Sequence, residues 1–251
     1  MSAIILVGGE GRRITTMAPG RPKPLIEVAG QPFLHWVTRW VEAQGEHEIV
    51  LAACHMADQI QAWAAAEGQA RPTCKFSVAL EPSPLGTGGG LVHAASRHPD
   101  NYYICLNGDS ATFVSLKPAL DWLKSDPGLD GVIIAKQLNN ASHFGALDIG
   151  PAGQLRGFHE KQPGAGRGWI NAGIYLLRAK LLALEPKPMS IEFDCFPRWL
   201  ADGARIGVLA SHADFLDIGT PETLAKACAF IEANRALLDD PAKLVPVQRV
   251  V

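Results

Sequence analysis

The chain has 251 residues, 47% of them hydrophobic, with 25 glycines and 18 prolines. That length and apolar content suit one large α/β domain and exclude a disordered or fibrous chain. With 23 basic and 25 acidic side chains the formal net charge is −2, so no global field draws the protein to nucleic acid or to an acidic membrane, and any anion site has to be built locally.

An apolar run from Ile4 to Val7 predicts a buried strand. It breaks into Gly8, Gly9 and Gly11, followed at once by Arg12 and Arg13. Glycines leave peptide N–H groups free to point at anionic oxygens, and Arg12, Arg13, Arg21 and Lys23 supply cations in the same neighbourhood. A dinucleotide fingerprint requires glycine where Ile14 stands, and the GK[ST] ending of a triphosphatase P-loop is missing. A tight turn with a solvated basic edge is the plainer alternative.

Apolar residues at three- and four-residue spacing predict a helix over 33–44, ended by Gly45. A strand follows over 47–54, a helix over 57–67 stopped by Gly68, and a strand over 74–80 running into Glu81. The stretch EPSPLGTGGGL, from Glu81, is expected to open the backbone at Gly86 and at Gly88 to Gly90 before a helix resumes at Leu91. A strand over 102–106 delivers Asn107, Gly108 and Asp109 at its carboxyl end, the edge where open α/β sheets carry their sites. A helix over 116–125 and a strand over 131–138 complete a strand–helix alternation that predicts a doubly wound, mostly parallel sheet.

From Phe144 the segments GALDIG, QLRGFHEK and WINAGIYLL are separated by glycine turns and predict hairpins, a small antiparallel excursion over the mouth of the sheet. Further elements are a helix over 193–201, strands over 205–210 and near Asp217, and a helix capped by Thr220 with Pro221 in its first turn, running toward Leu238. Domain organisation is read as one unit over 1–240, with a first half (1–140), a second half (141–220), a C-terminal helix (220–240) and a tail (241–251).

Two aspartates at strand ends, Asp109 and Asp217, are suited to holding a divalent ion against phosphate, since Mg²⁺ uses one or two carboxylates together with phosphate oxygens. An Asx-turn or a helix N-cap is the ordinary alternative, above all for Asp109 taken alone. Glu160, Lys161 and Asn171 gather a carboxylate, a cation and an amide at hairpin ends, a set that suits a sugar phosphate but also serves solubility. Glu81 suits guanine, whose N1–H and N2 amino group can be accepted together by one carboxylate, whereas uracil is better met by an amide. His143, His159 and His212 have no zinc spacing, and Trp36, Trp40, Trp63, Trp122 and Trp199 lie on predicted apolar faces. The five cysteines form no CxxC pair and read as reduced. No apolar run approaches a membrane span or a signal peptide, so a cytoplasmic location is expected.

GGEGRR followed by PKPLIEVAGQP resembles the signature of the sugar-1-phosphate nucleotidylyltransferases, and five ordered motifs extend the resemblance from Ala3 to about Leu224. It implies a Rossmann-like, GT-A-like nucleotide-diphospho-sugar transferase fold. It also implies Leu6, Gly8, Gly9, Gly11, Arg12, Arg13, Glu81, Gly86, Thr87, Gly88 and Asn107 around the nucleotide, and Asp109 with Asp217 on Mg²⁺. Arg13, Lys23, Asp109 and Lys161 are implied as catalytic, and Gly145, Glu160, Lys161 and Asn171 at the sugar phosphate. The chain departs from the usual motifs at Thr15-Thr16-Met17, at EKQP where EKP is usual, and at GTGGGL where GTAGAL is common.

The implied reaction joins GTP and a sugar 1-phosphate into a nucleotide sugar and pyrophosphate. Within the family, Glu81, GTGGGL and SHFGALDIG are most similar to bacterial D-glycero-D-manno-heptose 1-phosphate guanylyltransferases of surface-polysaccharide and capsule synthesis. UTP with a hexose or N-acetylmuramate 1-phosphate, mannose 1-phosphate with GTP, and a catalytically silent nucleotide-sugar sensor are the alternatives. Neither nucleic acid nor membrane is an expected partner, and the sequence leaves a homodimer open.

Overall fold

The computed structural model describes residues 1–9, 19–141, 146–159 and 166–250. In chain order the principal elements are β1 (Ser2–Leu6), α1 (Phe33–Ala43), β2 (Glu48–Ala53), α2 (Ala57–Ala70), β3 (Lys75–Leu80), α3 (Gly86–Arg97), β4 (Tyr102–Asn107), α4 (Lys117–Ser125), β5 (Gly131–Leu138), β6 (Ala146–Ile149), β7 (Leu155–His159) and β8 (Gly168–Arg178). There follow α5 (Ala179–Leu182), α6 (Phe196–Ala201), β9 (Ile206–Ser211), α7 (Pro221–Ala225), α8 (Ala227–Asn234), α9 (Ala236–Asp239) and β10 (Gln248–Arg249).

The central sheet runs β10-β9-β5-β8-β4-β1-β2-β3. Strands β3, β2, β1 and β4 pair in parallel, as do β5 and β9. Strand β8 is antiparallel to both of its neighbours. Alternation of side chains sends successive residues to opposite layers. Ile5, Ile49 and Leu106 pack into the core beneath α1, whereas Ile4, Val50 and Cys105 face α3 and the segment around Phe196. Both faces are covered, which is why β2 reads as an unbroken apolar run, buried from Ile49 to Ala53. The doubly wound, mostly parallel α/β fold is the one expected.

Several local expectations change. Helix α2 passes through Gly68 to Ala70, because glycine inside a helix costs only about 1 kcal/mol and Gly68 continues the packed face of Ile60 and Ala64, toward Phe76. The antiparallel segment is not confined to the mouth of the sheet: β6 and β7 form a hairpin joined to β8 where Ala146 pairs with Ile170, and β8 is inserted between β4 and β5 and is largely buried. The helix begun by Thr220 has the expected cap, with the Thr220 hydroxyl accepting from Thr223 N–H in a capping box, yet it breaks into α7, α8 and α9. The helix expected over 193–201 starts earlier, as a π-helical turn over Ile191–Cys195.

The stretch read as a patternless tail is built into the sheet. Val245–Pro246 pairs with Val114–Ser115, β10 lines the edge of β9, and Val247 is buried between them. Among the described residues no helix is long and apolar enough to cross a membrane. Cys74, Cys105 and Cys195 are buried, and none of the five cysteines forms a disulfide.

Candidate active site

The carboxyl ends of β1, β2, β3 and β4 place Val7–Gly9, Cys54, Glu81 and Asn107–Asp109 along one edge of the sheet. Leu6 lies opposite Asn107 in the ladder. Because β8 runs the other way, Asn171, near its start, arrives at this same edge.

Asp109 and Asp217 are brought together by backbone pairing. Ser110–Ala111 forms a short antiparallel ladder with Leu216–Asp217, and Ile218 N–H donates to the Asp109 carbonyl at 2.9 Å. Lys23 reaches the pair from a 3-10 turn over Lys23–Leu25. Its Nζ stands 2.6 Å from Asp109 Oδ2 and 3.7 Å from Asp217 Oδ1, with the lysine side chain only 9% exposed and the aspartates about a third. Asp217 Oδ1 also accepts Gly219 N–H at 2.5 Å. Two carboxylates from different strands thus converge on one positive charge. The ammonium is a stand-in cation, and the hard oxygen donors fit Mg²⁺.

Two glycines here answer to close approach. A Cβ on Gly108 would stand 2.6 Å from the Leu6 carbonyl oxygen, and one on Gly219 would stand 2.5 Å from Asp217 Oδ1.

Glu81 is 8% exposed rather than a solvated strand end. Its Oε2 accepts Leu85 N–H at 2.9 Å. Its Oε1 lies under Gly8 and Gly90, where a Cβ would come within 3.2 and 2.8 Å. Burial raises the Glu81 pKa, partly opposed by the Leu85 hydrogen bond and by His93. Of the opening glycines, Gly8 is the crowded one, a Cβ there standing 3.0 Å from Cys54 N, while a Cβ on Gly9 would meet nothing within 4 Å.

The second glycine stretch corrects the expectation of an open N–H cradle. Residues 86–90 are the first turn and a half of α3, not a loop before it. Gly88 and Gly89 N–H both donate to the Met189 carbonyl, at 2.9 and 3.3 Å. Thr87 Oγ1 accepts Ile191 N–H at 2.9 Å. Of the glycines in this segment, Gly86 alone has a left-handed φ, +69°, and a Cβ there would stand 2.7 Å from the Met189 carbonyl oxygen; on Gly88 it would stand 2.5 Å from Cys195 Sγ. Gly86, Gly88 and Gly89 let the segment 187–195 lie against the helix.

Asn171 is likewise more engaged than expected. Its Nδ2 donates to Tyr175 Oη at 2.5 Å and to Glu192 Oε1 at 2.6 Å, and its Oδ1 accepts Gly173 N–H at 2.8 Å. Glu192, carried on the π-helical turn, was not among the sequence candidates; the only signal for it was a carboxylate in SIEFD just ahead of an apolar helical face. The candidates Gly11, Arg12, Arg13, Gly145, Glu160 and Lys161 lie outside the described residues.

Fold and carboxylate pair define a nucleotidyl-transfer class. The chain matches the nucleotidyl transferase family model over residues 2–234, and it belongs to that family. It is 32% identical over 243 residues to the mannose-1-phosphate guanylyltransferase catalytic subunit beta of Danio rerio, covering 94% of this chain and 66% of that protein. It is 27% identical over 245 residues to the mannose-1-phosphate guanylyltransferase of Mycobacterium tuberculosis, covering 96% and 67%. The chain therefore spans about two thirds of the length of these relatives. Among solved structures, HddC from Yersinia pseudotuberculosis complexed with GMP-PN superposes with a TM-score of 0.78 at 30% identity, covering 91% of this chain and 98% of that one.

Proposed function

We propose that this protein is a Mg²⁺-dependent guanylyltransferase acting on a sugar 1-phosphate, with D-glycero-D-manno-heptose 1-phosphate as the sugar. The observation that carries the reading is the ammonium of Lys23 held between Asp109 and Asp217 at the carboxyl edge of the sheet. In such a reaction a sugar-phosphate oxygen attacks the α-phosphorus of GTP, the bond to the β-phosphate oxygen breaks, and pyrophosphate leaves with the electron pair. The attacking oxygen is already ionised, so no general base is needed, and positioning and charge neutralisation carry the catalysis.

Mg²⁺ held by Asp109 and Asp217 would gather phosphate oxygens and offset their charge. Lys23, released from the carboxylates as phosphate arrives, would turn its ammonium to the triphosphate. Arg13 and Lys161 are assigned to the leaving pyrophosphate and to the sugar phosphate on the family resemblance. Glu81 is assigned to guanine: its buried carboxylate has only Leu85 N–H as a described hydrogen-bond donor, and two further donors on the guanine edge would complete its shell.

The HddC likeness, at 30% identity over nearly the whole of that chain, and the guanylyltransferase names of the curated relatives support GTP as the nucleotide. Those same relatives, named for mannose 1-phosphate, favour that sugar as the second reading. Incubation of the purified protein with Mg²⁺ and heptose, mannose or N-acetylmuramate 1-phosphate, each with GTP and with UTP, decides among them. Pyrophosphate release with GTP and the heptose is expected. Release with UTP alone would overturn the base, release with mannose 1-phosphate alone the sugar, and a nucleotide-sugar complex without turnover would mean a sensor.

A further inference from the structure

We infer that Glu192, and not Asn171, is the group that reads the sugar ring, with Asn171 as its positioning residue. The inference rests on the sugar-phosphate reading above and deepens it. An amide side chain has two N–H donors and one carbonyl oxygen. Both Asn171 donor directions are spent, on Tyr175 Oη and on Glu192 Oε1, and its oxygen already accepts Gly173 N–H. Neither Tyr175 nor Gly173 is free to leave. Tyr175 is wholly buried. Gly173 sits in a bulge of β8 at φ +72°, pressed so closely on Asn107 that a Cβ would come 2.6 Å from its Nδ2.

Glu192 has the complementary property. It is half-buried on the π-helical turn, and among the described residues its one hydrogen bond is the one from Asn171. A carboxylate offers about four acceptor positions, and one that is partly withdrawn from water is costly until they are used. Two neighbouring sugar hydroxyls supply donors at the spacing of two carboxylate oxygens. The substrate class this defines is a sugar 1-phosphate with an unblocked vicinal diol.

The turn that carries Glu192 is rigidly held from the nucleotide side. Ile191 N–H donates to Thr87 Oγ1, Met189 accepts from Gly88 and Gly89, and Cys195 Sγ fills the place of the missing Gly88 side chain. Ser190 caps the turn through Phe193 N–H, and Asp194 accepts Ser190 N–H at 2.6 Å. π-helical turns of this kind recur at functional sites. The start of α3 thereby ties the placement of the sugar-reading carboxylate to the half of the molecule that takes the nucleotide.

The test is steady-state kinetics of wild type, Glu192→Ala and Glu192→Gln with the preferred sugar 1-phosphate and with a panel of its monodeoxy analogues. Loss of charge-assisted hydrogen bonds should raise the sugar-phosphate KM of Glu192→Ala about tenfold or more, with the GTP KM within about twofold of wild type. Glu192→Gln, which keeps an acceptor for Asn171, should fall between the two and melt within a few degrees of wild type. For the analogue lacking a hydroxyl that Glu192 accepts, the Glu192→Ala penalty should shrink. A penalty equal on both substrates, or unchanged across every deoxy analogue, would overturn the inference and leave Glu192 a structural residue. If the wild type releases no pyrophosphate from GTP with any sugar phosphate, the guanylyltransferase reading fails, and this inference fails with it.

Discussion

Lys23 is nearly buried, and its charge is met by two carboxylates that a short ladder holds side by side. Substituting Asp109→Asn keeps the shape and the backbone pairing but removes half of the negative charge. The expected result is a fall in kcat of about a hundredfold or more in a protein whose circular dichroism is unchanged. Full activity in that variant would exclude a metal role for Asp109.

Glu81 gives a prediction with a sign. Its folded pKa is raised above the ordinary value of 4.5, chiefly by burial, so the folded state holds the proton more tightly than the unfolded chain does. Stability associated with this residue is therefore present at acid pH and is lost as pH rises from the ordinary value through the raised one. Glu81→Gln keeps an acceptor for Leu85 N–H and has no charge to bury. It should melt with the wild type at acid pH and increasingly above it toward neutrality, while its KM for GTP rises about tenfold. A melting difference that does not vary with pH would refute the linkage.

At the scale of elements, the turn at Gly86–Gly90 shows why a glycine motif read alone misleads. Glycine permits unusual backbone angles and also permits close approach, and a sequence does not say which is in use. Only Gly86 has a positive φ here, whereas Gly88, Gly89 and Gly90 are in ordinary helix and are small because Cys195, Lys187 and Glu81 lie against them. Gly88→Ala would gain about 1 kcal/mol in helix propensity but would drive a methyl into Cys195 Sγ and the backbone of Ser190 and Ile191. Overpacking of this kind costs about 1–3 kcal/mol, so a net loss of melting temperature is expected. The variant should also lose affinity for the sugar phosphate, since the displaced turn carries Glu192. Unchanged melting and an unchanged sugar-phosphate KM would show that the contact yields freely.

At the scale of the whole molecule, the C-terminal stretch closes what would otherwise be an open sheet edge at β9. Val247 is 2% exposed between its two short pairings, and the Arg249 guanidinium lies 4.3 Å from the centre of the Trp122 ring. Val247→Asp would bury an unpaired charge at a cost of about 3 kcal/mol or more, which for a domain of this size lowers the melting temperature by roughly 6–12 °C. Since none of residues 244–249 is assigned to the candidate site, kcat of the folded fraction should stay at the wild-type value. A variant that melts with the wild type would mean that the docking adds little.

What the sequence by itself determined is whatever depends on neighbours along the chain. Continuous apolar runs for doubly covered strands, the helical spacing of α1, the Thr220 cap and the carboxylates at the ends of strand-like segments were legible for that reason. Tertiary structure alone decided the insertion of β8 between β4 and β5, the docking of 244–249, the breaks after α7 and α8, the burial of Glu81 and the saturation of Asn171 by Tyr175, Gly173 and Glu192. Each of these depends on groups distant in sequence, and a hydrogen-bond inventory or a close contact exists only once those groups meet.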